Sequence, residues 1–500
     1  MLDRRLFTFS NLLERVRSEI PTDLQIFLVG GAVRDALLSR PTHDLDFVLS
    51  GDVLGFSRHL ANRLGAAYYP LDIERGTARL ILIHPQGARE VLDFALLRGP
   101  DLESDLRARD FTINAIALAV HDPQKLLDPL DGASDLRAGQ IRACSPSAFQ
   151  DDPVRILRAI RLAAAYGFRV LPETRAQMRQ AVAELPRVSP ERLRDEIFRI
   201  LEGPKPATAI RALDLMGALP YILPELPALK GVRQSAPHLF DVWEHTLDIA
   251  QKLDLVLAGL AVQHDPEAAE NLIMGQLSLR LGRYRQQIHE HLTAGLIPGR
   301  DLRAILFLAA LFHDAGKPAT QQVDESGRIR FYEHEQVSAR IVSQRARFLK
   351  LSNDEIERLK TIVRHHMRPL LLAQSEGLPS RRAIYRFFRD TGPAGVDICL
   401  LSLADTLATY GPSLPQDTWA HHLDVVRALL EAWWERSEEN ISPPALVDGR
   451  FLIETYKLKP GPLIGKLLDI VREAQAAGEI DDRQAALEMI EEFLEKQDAP

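Results

Sequence analysis

The chain is 500 residues long, 46% apolar and 26% charged, with a formal net charge of -8. That length exceeds what one hydrophobic core serves, so roughly three or four globular domains are expected. Two cysteines, Cys144 and Cys399, lie far apart without CxxC spacing, which excludes a disulfide framework and a cysteine-based zinc site and fits a reducing cytoplasm. The N-terminal MLDRRLFTFSNLLERVRSEI lacks the unbroken apolar stretch of a signal peptide, and no later run reaches the length of a membrane span. The acidic balance argues against broad nucleic-acid affinity, which needs lysine and arginine to displace phosphate counterions. Any RNA site is therefore a local basic patch, and residues 151–211, with 12 Lys and Arg against 8 Asp and Glu, form an arginine-rich island.

In chain order, QIFLVGG reads as a buried strand ending in two glycines, AVRDALLS as a short helix and HDLDFVLSG as a second strand. Residues 53–66 have helical period, and 77–83 and 90–97 read as strands. These segments predict an α+β head of residues 1–130, a small mixed sheet with helices packed on it. After DPLDGASDLRAGQIRA nearly everything is helical in period, broken by Pro and Gly. Proline-bearing breaks at 223–237 and 442–449 divide the all-α remainder into a neck (131–230), a third domain (235–430) and a C-terminal tail (440–500). No repeat of fixed period and no low-complexity tract is present.

Asp44 and Asp46 are two apart in a predicted strand, which puts both carboxylates on one face. Two like charges there call for a cation. A pair of magnesium ions on hard oxygen ligands suits phosphoryl transfer. Asp93, in VLDFALL, is the natural third carboxylate, whereas Glu90 is three residues away and should face the other side. Gly30 and Gly31, ending a strand just before a helix, let backbone N–H groups approach a triphosphate, with Arg34 one helical turn further in.

The run LVGGAVRDALLSRPTHDLDFV strongly resembles the signature of the CCA-adding and bacterial poly(A) polymerase family, within the polymerase β-like nucleotidyltransferases. RDFTINAIAL (109–118) resembles that family's second motif, which implies that Arg109, Asp110 and Asn114 shape the ribose and triphosphate site. DDPVRILRAIRLAAAYGF (151–168) resembles its nucleotide-reading helix, and SPERLRDEIFRIL (189–201) the helix that follows. On a helix Asp152 and Arg155 are neighbours, with Arg158 and Arg161 in the same row. A carboxylate accepting from an exocyclic amino group beside a donating guanidinium can imitate a Watson–Crick edge. The resemblance gives that role to Asp152 and Arg155 and places Arg158 and Arg161 nearer the phosphates. The chain departs from the pattern at Asp151, where the family commonly has Glu, and at Ala108, where a second arginine often stands. Only PDLES separates Gly99 from DLRARDFT, where many full CCA-adding members have a longer loop associated with switching from C to A.

In the second half His245, His313-Asp314, His334, His365 or His366, and Asp405 recur within helical segments. Imidazole with carboxylate suits manganese, iron or zinc, and two such ions can bridge a hydroxide aimed at a phosphate ester. The ordered series resembles the HD phosphohydrolase superfamily over about 240–410, which implies a metal site drawn from these residues. The tail LVDGRFLIETYKLKPGPLIGKLLDIVREAQAAGEI resembles the family's C-terminal segment, which either reaches tRNA or packs on the HD domain.

The expected function is templateless addition of C and/or A from CTP and ATP to tRNA 3′ ends, in a cytoplasmic enzyme with no membrane and no evident obligatory protein partner. CCA addition or repair is the first reading, CC-only addition and poly(A) synthesis the others. The alternative is an enzyme whose main chemistry is HD hydrolysis. A non-catalytic RNA-binding protein would not need Asp44, Asp46 and Asp93 together.

Overall fold

Leu45, Phe47 and Leu49 are buried apolar residues interleaved with Asp44, Asp46 and Val48, the pattern of a strand whose two faces have different tasks. The computed structural model, which describes residues 11–21, 24–40, 42, 44–83, 89–263 and 272–498, places this strand at the centre of a seven-stranded sheet. In chain order the strands are β1 (Ile26–Val29), β2 (Asp44–Leu49), β3 (Ala67–Asp72), β4 (Thr77–Ile83), β5 (Arg89–Leu96), β6 (Ala117–Ala119) and β7 (Asp122–Leu127). Their spatial order is β3-β4-β5-β2-β1-β6-β7. The β2–β5 pair is parallel and the others antiparallel.

One face of this sheet carries Leu28, Phe47, Leu80, Leu92 and Phe94 against Val16, Val33 and Leu60. These three come from the helices α1 (Asn11–Ser18), α2 (Gly31–Leu37) and α3 (Val53–Leu64). Phe47 and Phe94 stack with centroids 5.0 Å apart. Each such fully buried side chain contributes about 1.5–3 kcal/mol, so the strand register is fixed by this core rather than by the carboxylates. On the other face Val29, Val48 and Ala117 pack with Leu106 and Ala115, Leu106 coming from α4 (Leu102–Arg107). The sheet matches the expected mixed architecture. Strand β3, which Pro70 and its edge position hide from a periodicity reading, and the short β6 and β7 are additional to the predicted strands.

Two compact units divide the chain: Met1–Ser189 with Leu215–Tyr221, and Pro190–Asp214 with Ile222–Pro500. Within the first, the segment 151–168 differs from the single helix expected. After α5 (Gly132–Arg137), helix α6 (Ala148–Asp151) ends, Asp152 is extended with φ -151 and ψ 93, and α7 begins at Arg155 and runs to Tyr166. Pro153 causes the break, because its ring disfavours a helical conformation for the residue before it. Asp152 and Arg155 are therefore not on one helix.

Among the described residues of the second unit helices predominate, joined by two short hairpins. The helix Leu302–Phe312 is buried at every residue but Arg303 and packs with the helices Val242–Gly259, Asn353–His365 and Ala394–Tyr410. The tail has its own apolar cluster, including Leu452, Leu467, Val471 and Ile490. Its helix Pro462–Ala477 packs on Arg381–Thr391. There Arg386 Nε donates to Glu473 at 2.9 Å and Arg381 Nε donates to the Ala476 carbonyl at 3.0 Å.

The turn after β7 fixes the segment that follows α4. Asp128 accepts from the backbone N–H groups of Gly132 and Ala133 at 2.7 and 2.8 Å, and the Thr112 hydroxyl donates to Asp135 at 2.6 Å. A Cβ on Gly132 would stand 2.0 Å from the Thr112 carbonyl oxygen. Gly132→Ala should therefore destabilise the fold by about 1–3 kcal/mol. Urea unfolding measures this, and an unchanged midpoint would show that the 112–132 contact does not constrain the fold.

Candidate active sites

The register of the sheet assembles the first site. Asp46 is opposite Asp93 on β5, Asp44 opposite Val91, and Val29 on β1 opposite Asp46. Directly opposed residues share a face, so Asp44, Asp46 and Asp93 lie on the side away from the main core. Glu90 has the opposite parity to Asp93 along the strand and faces the other side. Gly30 follows β1 with φ 75, and a Cβ there would be 3.2 Å from Asp46 Oδ2 and 3.5 Å from Arg109 Nη1. Only glycine fits both that left-handed backbone and that approach. Gly31 opens α2.

Asp93 is held by a residue that sequence reading missed. Arg79, its register partner on β4, donates from Nε and Nη2 to the two Asp93 oxygens at 2.8 and 2.7 Å. This is a bidentate fork that fixes the carboxylate plane. Among the described residues the acid and histidine groups whose ligand atoms close to within 4.8 Å of one another are all in the second unit. Asp44, Asp46 and Asp93 share a face without drawing together that tightly, as three like charges flanked by Arg79 would be expected to do. Burial, then the Asp93 and Asp44 charges, push the Asp46 carboxyl up to about 6, against the opposing pull of Arg109 and Arg79.

A second chain of contacts joins the other expected residues. Arg34 is buried, and its Nη1 donates to Asn114 Oδ1 at 2.7 Å. Asn114 Nδ2 donates to Asp110 Oδ1 at 3.0 Å, and Arg158 Nη1 donates to Asp110 Oδ2 at 3.0 Å. Burial alone would raise the Asp110 carboxyl, but the Arg158 charge and the hydrogen bonds from Asn114, Arg158 and the Phe111 N–H hold it below the usual range. Arg109 donates from Nε and Nη2 to Asp105 Oδ2 at 3.0 and 2.9 Å. Arg155 is buried and donates to the carbonyls of Arg109, Ala148 and Ala108 at 3.2, 3.2 and 2.9 Å, while its Nε lies 3.9 Å from Asp152 Oδ2. Arg161 is half-buried on α7. Tyr166 donates to Asp35 at 2.7 Å, and Arg34 stacks over its ring at 4.9 Å. Asp105 and Tyr166 had no sequence signal beyond their residue type.

The second site lies where helix ends converge. His313 and Asp314 follow the buried helix Leu302–Phe312, His334 starts His334–Phe348, His366 follows Asn353–His365, and His245 and Asp405 come from within the helices Val242–Gly259 and Ala394–Tyr410. Three of the imidazoles are oriented alike. Nδ1 of His313, His334 and His366 lies 2.8, 2.9 and 2.8 Å from the carbonyls of Ala310, Phe331 and Val363. Such a bond fixes the tautomer with Nε2 as the bare, ligating nitrogen.

The Nε2 atoms of His245, His313, His334 and His366 are buried with no hydrogen-bond partner. Those of His313 and His334 lie 3.1 and 3.2 Å from Asp314 at angles that make no hydrogen bond. His245 Nε2 is 3.2 Å from Asp405. Two ligand groups result, His245, His313 and Asp314, and Asp314, His334 and His366, sharing Asp314. Four orphaned nitrogens around a shared carboxylate fit the donor set of a transition-metal site.

His365 is not brought into this site: burial, then Arg368, hold its imidazole below its ordinary value outside the cluster. Burial would raise the Asp314 carboxyl, yet the charges of His313 and Lys317 hold it well below the carboxylate range. Lys317, also missed, places Nζ 2.6 Å from Asp314 and donates to Gln234 at 2.6 Å. A cavity of about 500 Å3 opens over the cluster, with Lys317, Arg328 and Arg330 among its lining residues.

Comparison with known proteins agrees with both halves. Residues 26–142 match the poly A polymerase head domain, 167–229 the probable RNA and SrmB-binding site of polymerase A, and 272–410 the HD domain. The chain is thus an enzyme of the nucleotidyltransferase class carrying an HD domain. It is 33% identical over 476 residues to the A-adding tRNA nucleotidyltransferase of Deinococcus radiodurans, covering 94% of this chain and 95% of that one. It is 32% identical over 462 residues to the CC-adding tRNA nucleotidyltransferase of Geobacter sulfurreducens, covering 92% and 90%. In fold it is similar to a CCA-adding enzyme solved in complex with ATP, at a TM-score of 0.59 and 22% identity over 97% of this chain and 94% of that one. The chain belongs to the tRNA nucleotidyltransferase family. No helix among the described residues is long and apolar enough to cross a membrane.

The raised Asp46 carboxyl has a thermodynamic sign. In the metal-free fold it keeps its proton up to about pH 6, against an ordinary value of 3.8. Its stabilising protonation is fully present below about pH 4 and is lost as pH rises through 6. Asp46→Asn should raise the unfolding midpoint of metal-free protein at pH 8 and leave it nearly unchanged at pH 4. Equal shifts at both pH values would show that Asp46 is not held protonated.

Proposed function

We propose that this chain extends tRNA 3′ ends without a template, adding C and/or A from CTP and ATP and releasing pyrophosphate. The observation that carries this reading is the register that sets Asp46 beside Asp93 on one face, with Gly30 against it. In it Asp44 and Asp46 hold magnesium, and Asp93 takes part in activating the RNA 3′-hydroxyl. Bound there, magnesium supplies Lewis-acid stabilisation of the α-phosphate and of the leaving pyrophosphate.

Backbone N–H groups at Gly30 and Gly31, with Arg34, Arg109, Arg158 and Arg161, receive the triphosphate. Asn114 and Asp110, which accept from Arg34 and Arg158, orient those two arginines and the ribose. Asp152 accepts from the exocyclic amino group that cytosine and adenine share, and Arg155, held in place by three carbonyls, donates beside it.

Choice between bases is the finer question. The relatives matched over nine-tenths of the chain are A-adding and CC-adding. Here Arg98 is tied by its backbone N–H to Asp105 at 3.1 Å, and Asp101 caps α4 through the Ser104 N–H at 2.8 Å, so the Gly99–α4 connection is short and fixed. Both features favour an enzyme adding one of the two nucleotides rather than the whole CCA end. Incubating tRNA transcripts ending before CCA, after C and after CC with CTP or ATP, then sequencing the ends, tests this. C on the two shorter substrates only, or A on the CC-ending one only, is expected. Complete CCA would overturn the single-nucleotide reading, and no incorporation the whole proposal.

We further infer a working HD phosphohydrolase, because the four orphaned Nε2 atoms suit manganese, iron or zinc and the basic lining suits a phosphate ester. Metal analysis of the purified protein should find transition metal that His313→Ala and His366→Ala each reduce at least severalfold. His365→Ala should not, and equal loss in all three would sink the ligand assignment. The division into head (1–130), neck (131–230), HD domain (235–430) and tail (440–500), and a cytoplasmic location, complete the proposal.

A further inference from the structure

Among the described residues, the strands beyond the carboxylates carry half-exposed side chains on the face that Asp46 and Asp93 share. One register line crosses the sheet through Tyr69, Arg79, Asp93, Asp46 and Val29, and opposed residues point to the same side. At the inner end Val29 is covered by Leu106 and Ala115. At the outer end Tyr69 is 49% exposed, and the Arg79 and Asp93 side chains are 43% and 30% exposed. Strands lie about 4.8 Å apart, so the tyrosine stands two strands, about 10 Å, from the third carboxylate.

A half-exposed tyrosine on an edge strand offers a ring face on which a nucleotide base can stack. The charge beside it suits the same ligand. A guanidinium has five N–H donors; Arg79 turns Nε and Nη2 to Asp93, and with 43% of its side chain exposed it has donors left for one more anion. In a protein of net charge -8, such a local cation is what an RNA phosphate requires.

The order of strands separates two approaches to Asp46. Gly30 and Arg34, read as triphosphate groups, follow β1 on one side, and Tyr69 and Arg79 lie on the other. In-line displacement at a phosphorus needs its nucleophile and leaving group on opposite sides.

We propose that Tyr69 and Arg79 seat the 3′-terminal nucleotide of the RNA. Tyr69 stacks on its base, Arg79 donates to its 5′ phosphate, and its 3′-hydroxyl is thereby delivered to Asp93. Arg79 is then a positioning residue that fixes the carboxylate and the RNA end with one planar group. Stacking accepts any base, which suits an end whose identity changes as residues are added. This inference rests on the nucleotidyltransferase reading and adds the acceptor subsite to it.

The full chain and its Tyr69→Ala, Tyr69→Leu, Tyr69→Phe and Arg79→Gln variants would be assayed on the tRNA transcript that the wild type extends. A second transcript carrying 2-aminopurine at its 3′ terminus reports stacking by fluorescence quenching. Tyr69→Ala and Tyr69→Leu should raise the KM for RNA about tenfold with the KM for nucleotide unchanged, and should relieve the quenching. Tyr69→Phe should behave as wild type. Arg79→Gln should raise the RNA KM and also lower kcat, since Asp93 loses its partner.

An active Tyr69→Ala or Tyr69→Leu enzyme with wild-type RNA KM and quenching would overturn the proposal. If the wild type incorporates nothing on any transcript, the nucleotidyltransferase reading fails. The quenching comparison still decides the subsite: wild-type quenching lost in Tyr69→Ala supports it, and no difference overturns it.

Discussion

The parallel pairing of β2 with β5 is the constraint on which the first site depends. It is set by Phe47 stacked on Phe94 at 5.0 Å in the core, and the same register puts Asp46 opposite Asp93 on the other face. A slip of one residue would turn the carboxylates into the core and the phenylalanines to solvent. Apolar packing thus holds mutually repelling charges together without any favourable interaction among them. The excess charge is offset by Arg79 on one flank and Arg109 on the other, and Asp46, caught between, holds its proton to about pH 6.

The second site solves a related problem by other means. Imidazoles do not repel as carboxylates do, but a buried nitrogen must be oriented before it can ligate. Here the carbonyl three residues earlier does this for His313, His334 and His366. His313 and His366 stand just beyond a helix C-terminus, where carbonyls lack intrahelical partners, whereas His334 starts its helix and meets the carbonyl of Phe331 at the end of the strand Ile329–Phe331. At His313 and His366 the same orphan groups that would weaken a helix terminus become fixed supports of the candidate metal site. Lys317, one helical turn after Asp314, sets a cation against the shared carboxylate at 2.6 Å and belongs to the basic lining above it.

Much of this was legible in the sequence because it obeys short periods. The two-residue spacing of Asp44 and Asp46, the glycine pair before α2 and the order of histidines need no tertiary knowledge. What escaped depends on partners distant in the chain. Arg79 looks like any strand arginine until β4 is laid beside β5, and Asp105 like any helix acid until it receives Arg109. Asp152 escaped for a local reason, since counting residues at helical spacing ignored Pro153, which ends α6 before Arg155 begins α7. His365 and His366 were inseparable by spacing. Only the helix end, with His366 Nδ1 on the Val363 carbonyl at 2.8 Å, distinguishes the ligand from its neighbour.

The break at Pro153 also bears on the proposed base-reading pair. On one rigid helix Asp152 and Arg155 would move together, and their spacing would suit a single hydrogen-bonding edge. As built, Arg155 is anchored to the carbonyls of residues 108, 109 and 148, whereas Asp152 sits on the extended connection between α6 and α7. Asp152 and Arg155 therefore rest on separate supports. Their 3.9 Å separation is a property of that connection, and a shift of α6 against α7 would alter the edge they present. Arg155 also binds the carbonyls on either side of Arg109, so the proposed base-reading pair is connected to the arginine beside Gly30 and Asp46. In the proposed function, selection of the base and alignment of the triphosphate are therefore coupled through hydrogen bonds to backbone rather than through a template.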